Sequence, residues 1–259
     1  MLHSGWLMKQ TGWYHREVGW RHILLLLIVF GTLAFILSMP AIVQNPAYHQ
    51  FSDRREFLGI PNFFDVVSNV PFLLVGVAGV IHCRKSNLMS FPPAWLSFFA
   101  GVAVVSFGSG YYHWNPDSDA LLWDRLPMTI AFMGLFVALL TEYMAVRLGK
   151  VILLPALLLG LTSVLYWHRF DDLRLYFWIQ LIPLLTVPVV MVLFRPRYSH
   201  QWMLLGALGC YIMAKVAEIY DREIFIFIQQ VTGGHSIKHL LAALGCFTLL
   251  MMLKKRKEL

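Results

Sequence analysis

The sequence is short of charge. Only 14% of its 259 residues are charged, whereas 58% are hydrophobic, and the mean hydropathy is +0.64. A water-soluble domain carries about 25% charged residues, so a soluble globule of this composition would lack a polar skin. Disorder is excluded as well, since it needs low hydrophobicity and high net charge. Cysteine is scarce too: Cys83, Cys210 and Cys246 form an odd set of three, in or at the ends of apolar runs and without C-x-x-C spacing. That excludes a disulfide framework and leaves packing roles. Neither an internal repeat nor a low-complexity segment is apparent. What remains is an all-α polytopic membrane protein.

A spanning helix needs about 20 apolar residues. Eight runs qualify: 23–39, 63–82, 93–113, 123–146, 150–167, 174–194, 201–220 and 236–253. Roughly 100 residues are left for short loops, too few for a soluble catalytic domain, so any chemistry falls to the helices. Pro71, Pro127, Pro183 and Pro188 lie inside the runs, where neighbouring helices can satisfy the freed carbonyls. The first run follows a 22-residue head and precedes no A-x-A pattern, which reads as an uncleaved anchor rather than a signal peptide. The organisation expected is a tail and extra helix over 1–49, a seven-helix domain over 50–253, and a basic tail over 254–259.

Lysine and arginine orient the spans. Thirteen lie on the side of the two termini, six lie opposite (Arg54, Arg55, Arg125, Arg169, Arg174 and Arg222), and Lys215 and Lys238 fall within runs. Both termini are therefore expected in the cytoplasm. The net charge of +7 points to anionic lipid headgroups, not nucleic acid.

Ionisable residues inside spans are costly and mark functional sites. Asp65, Ser68 and Asn69 open the second run, and Ser109 and His113, four apart, close the third. Asp124 and Arg125 open the fourth, and His235, Lys238 and His239 open the last. Given the orientation above, Asp65, Ser68, Ser109, His113, Asp124, His235 and His239 share one depth near the outer face. Two histidines four apart present imidazoles from successive turns of one helix face, and His113 can add a third. Three histidines with an open position form an established catalytic zinc set. Asp124 then suits a proton-accepting or ligand-orienting role, and Ser109 can donate to a developing oxyanion. Lys238 reads as snorkelling or paired with a carboxylate. Lys215, Glu218 and Asp221 form a polar end to the seventh run. The remaining histidines, His49 and His82 among them, read as tail, loop or span-end residues, and Trp6, Trp13, Trp20, Trp114, Trp123 and Trp167 read as interfacial belts.

These residues resemble the alkaline ceramidases of the CREST superfamily. Ser68-Asn69, Ser109-x-x-x-His113, Asp124 eleven residues further on, and His235-x-x-x-His239 carry the resemblance, which covers roughly residues 50 to 253. It implies a seven-helix bundle, a zinc ion held by His113, His235 and His239, Ser109 and Asp124 beside it, and hydrolysis of ceramide to a sphingoid base and a fatty acid. Two departures stand out. One helix precedes the seven. Calcium, which eukaryotic relatives bind through acidic residues ahead of the bundle, finds Asp53 and Glu56 here, but Asn62 where an acid is expected, which weighs against it.

The function expected is an intramembrane zinc-dependent hydrolase of ceramide-like amides. Its partners are the lipid substrate and the bilayer, with no obligate protein partner. A receptor or sensor of the same superfamily is the alternative, together with a lipid-remodelling hydrolase for another lipid. A haem carrier would need opposed histidines deep in the bilayer, and these cluster near one face.

Overall fold

The structure, a computed structural model, describes residues 19–259; Trp6, Trp13 and the other expectations for the head lie outside them. The described residues form ten α-helices: α1 (Trp20–Ser38), α2 (Phe63–Val67), α3 (Val70–Lys85), α4 (Pro92–Trp114), α5 (Ser118–Tyr143), α6 (Val146–Phe170), α7 (Arg174–Leu193), α8 (Met203–Ile219), α9 (Asp221–Phe227) and α10 (Gly234–Lys255). Helices satisfy their own backbone groups, as lipid demands. Seven spans are long and apolar enough to cross a membrane, α2 and α3 counting together, or eight if the bent pair α8–α9 is one span.

α5 is the axis of the bundle. Of its apolar window 78% is buried, against 11% for α1, and it packs on α4, α6 and α7. Small residues let α4 and α5 approach closely, as they do between membrane helices. A Cβ on Gly108 would stand 2.1 Å from the Trp123 carbonyl oxygen, and one on Gly134 would stand 2.6 Å from the Phe98 nitrogen. α10 packs on α8 and α3, while α1 sits outside, chiefly against α7. There Trp178 Nε1 donates to Thr32 (3.2 Å), and Arg174 Nη1 donates to the Leu37 and Met39 carbonyls (2.9 and 2.7 Å).

Two expected spans are not continuous. The 63–82 run breaks between α2 and α3 at Ser68 and Asn69. Pro71 has no N–H for the Val67 carbonyl. Ser68 Oγ and Asn69 Nδ2 both donate to the Asp65 carbonyl (3.0 and 2.8 Å), so these side chains compete with the helical ladder. The 201–220 run bends by 82° between α8 and α9. The fourth span also starts earlier than expected, because Asp117 caps Ala120 N at 2.7 Å. Asp124 therefore sits inside α5 instead of opening it.

At the opposite end of the bundle the basic tail is not wholly solvent-facing. Arg256 is 2% exposed. It donates to Glu142 Oε1 at 2.6 Å, which also accepts from Trp95 Nε1 at 2.7 Å, and its guanidinium lies 4.1 Å from the Tyr198 ring.

Candidate metal centre and its surroundings

α4 carries His113 in its last turn, and α10 carries His235 and His239 in its first two. The three imidazoles form a near-equilateral triangle, with ring centroids 4.8 Å (113–235), 4.9 Å (113–239) and 4.9 Å (235–239) apart. One ring nitrogen from each lies within 4.8 Å of the others, and all three residues are buried. Both ring nitrogens of His113 lack a hydrogen-bond partner. An orphaned buried imidazole is costly in a protein interior, and three convergent imidazoles are a donor set suited to zinc. The residues fit a metal ion.

The helix break at Ser68 fixes one of these rings. The single Ser68 hydroxyl hydrogen is given to the Asp65 carbonyl, so at 2.8 Å His239 Nδ1–H donates to Ser68 Oγ. That assignment leaves Nε2 of His239 with its lone pair toward the triangle, the arrangement in which a neighbour of the ligand sets its tautomer. Asp65, wholly buried, accepts from Ser236 Oγ at 2.6 Å and ties α2 to α10. Asn69 serves the break through its amide and does not reach the triangle in hydrogen bonds.

Asp124 and Ser109 are both buried and face each other across the Gly108 contact of α4 and α5. Lys238 is paired, as expected, with Glu218 (3.2 Å), and it also donates to His235 Nε2 at 2.7 Å. Glu218 also accepts from Lys215, so one carboxylate pairs with both ammonium groups. Asp221, read as part of that polar end, is elsewhere. The bend before α9 turns it back, and its carboxylate accepts from Ser52 N (2.9 Å) and His235 N (2.8 Å).

That bridge holds a residue the sequence did not point to. Phe51 is 6% exposed and lies 4.7 Å from the His113 ring and 4.5 Å from the His235 ring, centroid to centroid. It covers these two rings of the triangle. Its loop is closed by Arg55, which donates twice to Asp53 (2.8 and 2.7 Å) and once to the Val231 carbonyl (2.9 Å). Asn62, with φ of 46°, donates to the His113 carbonyl at 2.8 Å and anchors the end of α4. His49, read as a loop residue, bonds the Tyr112 hydroxyl at 3.0 Å, and burial lowers its pKa from the usual histidine value. Trp167, read as an interfacial residue, is buried beneath Arg125 at 4.0 Å.

Beyond His239 an apolar cavity of about 140 Å³ runs between α4, α5, α7, α8 and α10, walled by Phe72, Val102, Met128, Leu204, Tyr211 and Cys246 among others. Phe72, in its wall, stands edge-on to His239 at 6.3 Å, and none of the three histidines lines the cavity itself. A buried histidine cluster able to hold a metal, set among helices long and apolar enough to cross a membrane, marks a multi-pass membrane protein. A family model described as Ceramidase matches residues 59–257. The chain belongs to the ceramidase family, whose activity at family level is hydrolysis of the ceramide amide. No curated protein matches the sequence.

Proposed function

We propose that the protein is a zinc-dependent amidohydrolase acting within the membrane on ceramide-like lipids, releasing a sphingoid base and a fatty acid. The observation that carries this reading is the buried histidine triangle, with both His113 nitrogens unpartnered and Phe72 standing between it and an apolar cavity. His113, His235 and His239 would hold the ion. When bound, zinc supplies Lewis acidity and lowers the pKa of a water to about 7. Asp124 accepts a proton from the attacking water as the water oxygen bonds to the amide carbonyl carbon. Ser109 donates a hydrogen bond to the carbonyl oxygen as it gains charge. Asp124 then gives the proton to the amide nitrogen, the C–N bond breaks, and the amine leaves. The apolar cavity takes hydrocarbon, and Phe51 keeps bulk water off the ligands. Both termini are placed in the cytoplasm and the site near the outer face, on the strength of thirteen basic residues against six.

The test is metal analysis of purified His113→Ala and His239→Ala, with turnover of a fluorescent ceramide by Asp124→Asn. The expected result is zinc near one equivalent in the wild type, loss of it in the histidine variants, and retained zinc with abolished turnover in Asp124→Asn. Unchanged metal content in both histidine variants sinks the reading.

A further inference from the structure

The apolar cavity stands in helical register with the polar site. Residues three or four apart share a helix face. On α4, Ser109 is followed one turn further into the bundle by Val105, on α5 Asp124 by Met128, and on α10 His239 by Ala242, and all three of these apolar residues line the cavity. On the same helices the lining ends seven residues deeper, at Phe98, Leu135 and Leu249, and α8 adds Leu204, seven before Tyr211. These four are at most 7% exposed and form a floor. From the level of Ser109, Asp124 and His239 to that floor is ten or eleven residues of helix, about 16 Å.

The floor is backed by polar groups that resist displacement. Continuing inward come Trp95 on α4, Glu142 on α5 and Arg256 just past α10. Trp95 Nε1 and Arg256 Nη1 both donate to Glu142 Oε1, at 2.7 and 2.6 Å. A hydrocarbon chain pushed that far would break a buried ion pair whose bonds it cannot replace. The walls offer a polar head nothing either, since the Tyr211 hydroxyl is already given to Gln180 Oε1 at 3.1 Å. A sphingoid base carries hydroxyls on the carbons either side of the one bearing its nitrogen, and those would be stranded here. An N-acyl chain without hydroxyls joins the carbonyl carbon directly.

We propose that the cavity is a measuring slot for the N-acyl chain, floored by Phe98, Leu135, Leu204 and Leu249, and that it selects ceramides with acyl chains of about twelve carbons or fewer. The inference rests on the hydrolase reading and refines its substrate class. Extended hydrocarbon, with bonds of about 1.5 Å, advances about 1.3 Å per carbon, so about 16 Å of helix accommodates about twelve. A surplus methylene in a close-fitting apolar pocket costs about tenfold or more.

The test is turnover of octanoyl-, lauroyl-, myristoyl- and palmitoyl-sphingosine by the purified full-length protein. In the wild type kcat/KM is expected to hold up to the lauroyl chain and to be at least about tenfold lower for palmitoyl. Leu204→Ala, on a helix without a ligand, deepens the floor and is expected to move the limit about two carbons longer, to myristoyl. Ala207→Phe fills the slot about one turn above the floor and is expected to move it about four carbons shorter, to octanoyl. A merely structural lesion would lower turnover of every chain without moving the limit. A wild-type profile that is flat or rising from lauroyl to palmitoyl overturns the proposal whether or not the variants fold. So does a limit that stays in place in both folded variants, or one that follows the sphingoid chain. Thermal-shift titration with the same series separates the two readings. A chain-length limit in binding without turnover of any ceramide refutes hydrolysis and leaves the slot, whereas turnover without a limit refutes the slot and leaves hydrolysis. Neither binding nor turnover overturns both.

Discussion

Replacing Gly108 with alanine is expected to disable the site without touching any residue that does chemistry. The added Cβ would lie 2.1 Å from the Trp123 carbonyl oxygen, 2.9 Å from its carbon and 3.4 Å from the Asp124 Cα. Ordinary contact begins at 3.4 Å, so α4 and α5 must separate by roughly 1.3 Å, and backbone cannot swing aside as a side chain can. Overpacking of this kind costs about 1–3 kcal/mol. The displacement acts at Asp124 itself, relative to Ser109 and His113 on α4, and a misplacement of about 1 Å costs on the order of 100-fold in rate. Gly110 is the matched control: on the same helix, its Cβ would meet nothing within 4 Å, and alanine is the better helix former by up to about 1 kcal/mol. Ceramide turnover and detergent melting curves of the two variants supply the measurement. Gly108→Ala with the turnover and melting temperature of Gly110→Ala would refute the close-packing account.

Three further outcomes are expected. Ser68→Ala removes the acceptor of His239 Nδ1–H, and zinc affinity measured by chelator competition should fall about 10–100-fold; an unchanged affinity would show that the tautomer is set elsewhere. Arg256→Met leaves Glu142 buried without its cation, a loss of about 3–5 kcal/mol by melting or denaturant titration, and Arg256→Met with Glu142→Leu should recover most of it; equal stability of the single and double variants would contradict this. Asp172 accepts hydrogen bonds from Arg174, which hold its carboxyl below the usual carboxylate range. A group depressed in the folded state stabilises above its unfolded value, about 3.9, and the stability is lost as pH falls through the folded value. Asp172→Asn should therefore destabilise the protein at neutral pH and flatten the acid limb of its stability curve, and an unaltered acid limb would assign that loss to other carboxylates.

Composition alone excluded a soluble chain, and the spacing of His235 and His239 put two imidazoles on one helix face, because both are local or periodic properties; His113 joined them only through the common depth that the charge-derived orientation assigns. A residue four positions on lies one turn away whatever surrounds it. Hydropathy also located the spans, since apolar length is what the bilayer requires. The break at Ser68 and Asn69 was less legible. It depends on two side chains competing for the carbonyl of Asp65 at the point where Pro71 withholds its N–H, and a hydropathy window averages across all three. A Ser-Asn pair two residues ahead of a proline in an apolar run is a readable signal once the competition is considered. The bend after Ile219 had no such marker.

The same reasoning explains why Phe51 escaped, and why Asp221 and Arg125 were legible only as a polar span end and a charge at the start of a span. Each acts through partners distant in sequence: Phe51 covers imidazoles on α4 and α10, Asp221 ties the 52 and 235 amides, and Arg125 is boxed by rings from Tyr48, Trp167 and Tyr176. In one dimension Phe51 is one of 19 phenylalanines, and Arg125 is one basic residue in an orientation tally. Burial changes their meaning. A guanidinium counted as a topological charge becomes, once enclosed, a donor that needs an acceptor, and an aromatic residue in a loop becomes the cover over two imidazoles. The pairing of His235 with His239 is therefore recoverable from spacing. The contacts that enclose the histidines come from the loops and helix ends, where the chain departs from the helical period.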